Sequence, residues 1–158
     1  MEKYEQLLIS LRQVIRAIDI HSKQLNKKSG LTGPQLMVMT TIAQLDGPMA
    51  KQVAQKINLS PATVTSIIDR LEVKELVIRK RSQLDKRKVE LYLSATGYVL
   101  LQDAPKPLQD HFIKHYQALE SWEQSQLLSS VERIAAMMDA EELDAAPVLM
   151  VGHIQESQ

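Results

Sequence analysis

Apolar residues recur at intervals of three and four through most of this chain, and in one short, cation-flanked stretch they alternate instead. From about residue 2 to 27, Tyr4, Leu8, Leu11, Ile15 and Ile18 step along one face, widened by Leu7, Val14 and Leu25, which predicts a long helix. So one-sided a helix must dock its apolar face on something. Asn26-Lys27-Lys28-Ser29-Gly30 ends it. Thr32, followed three residues on by Gln35, forms a capping box that opens a buried-looking helix over 36–45, and Asp46-Gly47-Pro48 stops that helix. A short helix over 50–57 turns Val53, Ala54 and Ile57 inward, and Asn58-Leu59 makes a tight turn into the next helix. Residues 50–73 thus read as a helix-turn-helix.

The second helix of that pair starts at Ser60-Pro61, a serine able to cap free backbone N–H groups and a proline suited to the first helical position. Val64, Ile67, Ile68 and Leu71 share one stripe, and Ala62, Thr63, Thr65, Ser66, Asp69 and Arg70 cover the other side. Short hydroxyl and methyl side chains let a helix lie deep in a major groove, and its N-terminus favours phosphate. An amphipathic helix with a solvated polar face fits the same pattern, and residues 77–93 decide between them. Residues 77–81 and 88–93 read as strands, the second with Val89, Leu91 and Leu93 alternating. Between them, Ser82-Gln83-Leu84-Asp85-Lys86-Arg87-Lys88 has no glycine for a two-residue turn and is too cationic to bury itself. A helix joined to such a hairpin is a winged helix-turn-helix, whose wing tip reaches the adjacent minor groove or its phosphates.

Beyond Ser94 a helix runs through Tyr98, Leu100 and Leu101 toward Pro105 and Pro107, which predict a break near Ala104. A segment over 108–119 carries Phe112 and Tyr116 on one face. Ser121-Trp122-Glu123-Gln124 reads as another capping box, opening a helix with Leu127, Leu128, Val131, Ile134, Ala135 and Met138 inward. With the first helix these suit a helical dimer interface, and the apolar tail over 147–154 suits packing on a partner subunit.

The formal net charge of zero hides a dipole. Basic residues number 6 against 4 acidic in 1–50, 10 against 5 in 51–90 and 3 against 10 in 91–158. The cationic middle steers one face toward phosphate. Without cysteine, disulfides, thiolate metal sites and thiol-oxidation sensing are excluded. The chain enters its amphipathic pattern directly at Met1-Glu2-Lys3-Tyr4 and holds no apolar run of membrane-spanning length, so no secretory signal and a cytoplasmic location are expected. No nucleophile elbow, phosphate loop or paired acid and base suggests an enzyme, and no cofactor is expected.

The run from 31 to 97 resembles the multiple antibiotic resistance regulator (MarR) family of bacterial winged-helix transcription factors. The resemblance is carried by Leu31-Thr32 with Gln35, Val53-Ala54, Leu59-Ser60, Val64-Thr65, Asp69-Arg70-Leu71-Glu72, Leu76-Val77 with Arg79, Asp85-Lys86-Arg87, and Leu93-Ser94 with Gly97. It implies a mainly α fold with a small β-hairpin wing: an N-terminal dimerisation helix (1–30), a DNA-binding domain (31–97), and C-terminal dimerisation helices with a tail (98–158). It also implies a homodimer on a pseudo-palindromic operator in double-stranded DNA, most simply as a repressor. The expected DNA-facing residues are Ser60, Ala62, Thr63, Thr65, Ser66, Arg70, Arg79, Arg81, Asp85, Lys86, Arg87 and Lys88. Asp85 and Arg87 fall on the family's wing-tip Asp-x-Arg, where the carboxylate aims a minor-groove arginine. Lys86 replaces a more usual arginine, and Glu75 stands where a glycine commonly ends the recognition helix, which suggests a turn made without a left-handed residue.

The resemblance further implies a small-molecule effector in a cleft between the dimerisation and winged regions, with Arg16, His21 and Met39 as candidate lining residues, although packing or solvation accounts for them equally well. Asp110, His111 and His115 place two imidazoles one helical turn apart, a zinc-compatible spacing similar to that of zinc-responsive members. Met37 occupies the region where such members supply a further histidine, and His21 is the other conceivable ligand; solvated or capping histidines are the simpler account. A protein-interaction module with a merely solvated wing is the alternative from another class. The whole chain is also similar to members that regulate compatible-solute (ectoine) synthesis genes, which implies osmotic-stress targets.

Overall fold

Local capping chemistry sets most element boundaries in the computed structural model, which describes residues 1–106, 108–143 and 149. Among them, seven helices and one hairpin run in the order α1 (Lys3–Ser29), α2 (Gly33–Leu45), α3 (Ala50–Ile57), α4 (Pro61–Val73), β1 (Val77–Arg81), β2 (Val89–Leu93), α5 (Ala95–Asp103), α6 (Leu108–Gln117) and α7 (Ser121–Met137). The Thr32 hydroxyl accepts from the Gln35 N–H at 3.4 Å, and the Gln35 amide oxygen accepts from the Thr32 N–H at 3.0 Å, so the box forms as expected. Ser60 caps α4, its hydroxyl accepting from the Thr63 N–H at 3.1 Å. At α7 the box lies one residue earlier than the expected Ser121 start: the Glu120 N–H donates to the Glu123 carboxylate at 2.9 Å, which makes Ser121 the first helical residue.

The end of α4 departs from expectation. Glu75 adopts a left-handed backbone at φ 59°, where a turn without such a residue was expected. The Leu76 N–H reaches the Leu71 carbonyl and the Glu75 N–H reaches the Glu72 carbonyl, both at 2.9 Å. This paired closure needs a left-handed residue whatever its side chain, at a cost of about 1 kcal/mol for a non-glycine.

Antiparallel β1 and β2 pair Val77 with Leu93, Arg79 with Leu91 and Arg81 with Val89. The buried residues Val77, Leu91 and Leu93 anchor the base of the hairpin, whereas Val89, near the tip, is exposed. The Leu91 N–H also donates to the Pro48 carbonyl at 2.9 Å, tying the wing to the α2–α3 connection. Ser94 fastens the other end: its N–H donates to the Leu76 carbonyl at 3.0 Å and its hydroxyl to the Glu75 carbonyl at 2.7 Å. At Gly97 a Cβ would lie 2.3 Å from the Leu76 carbonyl oxygen, so only glycine allows this approach. Helix α5 ends at Ala104 in extended backbone, at the expected break; Pro107 lies outside the described residues.

The core is built from α2, α3, α4 and the base of the wing, with Leu36, Val38, Met39, Ile42, Val53, Ile57, Val64, Ile68, Leu71 and Leu91 almost wholly buried. Helix α1 contributes only Leu25 to it, and α6 and α7 bury no residue. The inward face expected for α7 is therefore not covered among the described residues: Leu127, Leu128, Val131 and Met138 are exposed, and Ile134 and Ala135 are half-buried. A helical stripe marks an apolar face but not the molecule that covers it. Leu149 aside, the 147–154 tail lies outside the described residues.

Candidate nucleic-acid interface

Helix α4 buries Val64, Ile67, Ile68 and Leu71 and presents its opposite side. There Ala62, Thr65 and Arg70 are exposed, and Ser60, Thr63 and Ser66 are half-buried. The Ser60 and Thr63 hydroxyls lie 2.7 Å apart, so both take part in the cap while bordering the free N–H groups of the helix start. Small polar side chains beside a positive helix end can approach base edges and phosphate together.

At the wing tip Asp85 organises the loop. Its carboxylate accepts from the Arg87 N–H at 3.1 Å and from Arg87 Nε at 3.3 Å, and its carbonyl accepts from the Lys88 N–H at 2.9 Å. The Arg87 side chain is 92% exposed, so the carboxylate aims a guanidinium that stands in solvent. Arg81, Lys86 and Lys88 are also exposed, which gives the tip a dense positive surface. Lower on the wing, the Lys80 ammonium lies 5.2 Å from the Tyr92 ring centroid, and the Tyr92 hydroxyl donates to Glu90 at 2.8 Å. Hydrogen bonds from Ser82 and then Tyr92 hold the Glu90 carboxyl below its usual range, and the Glu90 carboxylate in turn raises the Tyr92 phenol.

Arg79 is placed differently from the other cations expected at DNA. Its guanidinium turns to α4, pairing with Asp69 at 2.5 Å and with Glu72. The hydrogen bond to Asp69 is the main cause of its raised pKa. Neither carboxylate was read from sequence as a partner; ten and seven residues of separation hide a contact that only the α4–β1 turn creates.

A cavity of about 540 Å³ lies between α2, α5 and α6, lined by Leu36, Met37, Thr40, Thr41, Gln44, Leu101, Lys106, Gln109 and Asp110 among others. None of the three expected pocket residues lines it. Met39 is fully buried in the core, Arg16 is exposed on α1, and His21 Nε2 lies 3.0 Å from the carbonyl oxygen of the lining residue Lys106. The signal that was available is the polar set Thr40, Thr41 and Gln44 interrupting an otherwise apolar helix. The Gln109 Oε1 atom is buried without a hydrogen-bond partner among the described residues. On the same helix the His111 and His115 rings are 4.3 Å apart, and among the described residues no group of three or more His, Asp or Glu side chains is arranged to hold a metal ion.

A capped helix presented beside a cationic, core-anchored hairpin defines a winged helix-turn-helix. The chain belongs to the MarR family, whose family model matches residues 31–89. The HTH-type transcriptional regulator MhqR of Bacillus subtilis (strain 168) is 32% identical over 102 residues, 65% of this chain and 70% of that protein. The HTH-type transcriptional regulator MgrA of Staphylococcus aureus is 33% identical over 91 residues, 57% of this chain and 62% of that protein. A MepR-like protein crystallised with pseudoligands is similar over 86% of this chain and 94% of its own, at a TM-score of 0.57 and 26% identity. A mutant of S. aureus MepR bound to an oligodeoxyribonucleotide shares the fold over 87% of this chain and 99% of its own, at a TM-score of 0.50 and 19% identity. The family and these curated relatives are transcriptional regulators and not enzymes, and this chain is a MarR-type helix-turn-helix regulator. No helix among its described residues is long and apolar enough to cross a membrane.

Proposed function

We propose that the protein is a homodimeric repressor of a pseudo-palindromic operator, with α4 in successive major grooves and the wing tip at the minor groove. The observation that carries this reading is the shared presentation of the α4 polar face and the Asp85-aimed Arg87, both anchored by one core. Ser60, Ala62, Thr63, Thr65, Ser66 and Arg70 serve the major groove, and Arg81, Lys86, Arg87 and Lys88 serve the wing. A second copy of the chain accounts for the apolar residues that α1, α6 and α7 leave exposed, among them Leu8, Ile15, Phe112, Leu128 and Val131. The division into 1–30, 31–97 and 98–158 obeys the same logic, although α5 runs across the last boundary. The cavity between α2, α5 and α6 has the volume of a small-molecule site and is proposed as the effector cleft. Control of compatible-solute genes rests on overall likeness alone, and no residue of the interface carries it.

The test is binding of purified protein to the duplex upstream of its own gene against a scrambled duplex, titrated over salt, with the mass of each complex measured. Salt-sensitive preference for the native duplex by two chains per site supports the reading. Failure to bind either duplex at low salt would sink it and favour a protein partner.

A further inference from the structure

We infer that Arg79 is a positioning residue, one that locks the wing to the recognition helix instead of contacting phosphate. The inference rests on the reading that α4 and the wing bind DNA together, and it changes what this residue does within that reading. Thr65, Asp69 and Glu72 stand at i, i+4 and i+7 and so fall on one flank of α4. The Asp69 and Glu72 side chains are 58% and 42% exposed, on a helix whose polar side is otherwise free of acid after Ser60. Unpaired, two carboxylates beside a recognition surface would repel phosphate. The Arg79 guanidinium uses one nitrogen on each: its two terminal N–H groups point to different carboxylates. A planar guanidinium can hold two carboxylates at once, whereas a lysine ammonium is a single point charge.

The position of Arg79 gives the pairing leverage. It sits at the middle of β1, opposite Leu91, so pinning it fixes the swing of the hairpin against α4. Arg81 and Arg87 lie further out on the same hairpin, and their reach depends on that angle. The covalent link between helix and wing is the short turn through Glu75, closed by backbone hydrogen bonds. The ion pair therefore adds a side-chain tether to α4 beside the backbone tethers at Pro48, Glu75 and Leu76.

The two roles predict opposite signs. If Arg79 were a phosphate contact, D69N/E72Q would free it and tighten binding to every duplex. Arg79→Ala would then weaken native and scrambled duplexes alike and lower the salt slope by about one. As a positioning residue, Arg79→Ala lowers affinity for the native duplex about tenfold and for the scrambled duplex much less, with the salt slope kept. D69N/E72Q also loses native preference despite two fewer negative charges, and Arg79→Lys does not restore it. Fluorescence anisotropy over a salt series reads all of these, and cooperative thermal unfolding confirms that each variant is folded. Amide hydrogen exchange on the free protein gives a readout without DNA. Faster exchange confined to β1 and β2 in Arg79→Ala supports the lock, and unchanged wing protection overturns it. Failure of wild-type protein to bind either duplex would count against the operator reading, while the exchange result would still decide the lock.

Discussion

Arg87 and Glu75 show how differently a single residue can be constrained. Arg87 is held by one carboxylate and otherwise stands in solvent, so its cost and its use are both external. Arg87→Ala is expected to weaken operator binding by about 1 to 3 kcal/mol, checked by anisotropy titration, while thermal stability stays unchanged. Equal affinity of the variant and wild type would remove Arg87 from the interface. Glu75 is constrained internally, by a left-handed backbone that closes α4. Replacing it with glycine relieves that strain but adds freedom to the unfolded chain, so the net gain is small, about 0.5 to 1 kcal/mol. A rise of a few degrees in the unfolding midpoint is expected, and a fall would show that the Glu75 side chain contributes something the backbone geometry does not reveal. At this scale the sequence was legible where chemistry is local. The Thr32–Gln35 box and the Ser60 cap each need only residues three apart. The role of Arg79 was not legible, because its partners come from another element.

The wing is tethered to separate parts of the chain at both ends. Its inner end is locked where Ser94 and Gly97 meet the Glu75 and Leu76 carbonyls. Gly97→Ala has no room, since the atom it would strike is backbone, and a loss of about 2 kcal/mol is expected in denaturant unfolding. Wild-type stability in that variant would mean that α5 shifts freely, and the wing would then be less firmly seated than the contacts indicate. Glu90 adds a pH dependence. Its carboxyl titrates below the usual range when folded, because the hydroxyls of Ser82 and Tyr92 donate to the ionised form. The stabilisation is fully present above the ordinary glutamate pKa and is lost as pH falls through the lowered folded value. Hairpin amide protection should therefore drop in acid in wild type and less so in Glu90→Gln. Equal acid sensitivity in the two proteins would assign the effect to another group. Strand pairing and the cationic tip were readable from alternation and charge; the Pro48 and Ser94 tethers were not, since both join distant parts of the chain.

For the whole molecule, the division of labour is between a closed core and helices whose apolar faces stay exposed among the described residues. Helices α2 to α4 and the hairpin complete their own packing, whereas α1, α6 and α7 keep large apolar side chains at the surface. Leu128→Glu with Val131→Glu on α7 is expected to leave the winged core folded, to shift the protein from dimer to monomer in sedimentation, and to abolish operator binding. A dimer of unchanged stability would place the contact on other faces. The sequence by itself determined most helix starts and the cationic tip, because caps, periodicity and charge are properties of neighbours along the chain, and its motifs carried the likeness to the family. Only the tertiary structure decided that Arg79 serves Asp69 and Glu72, that Met39 is core while Thr40 and Gln44 face a cavity, and that α7 is left uncovered among the described residues. Each of these depends on which surfaces meet across large separations, and an apolar stripe or a charged side chain carries no record of its partner.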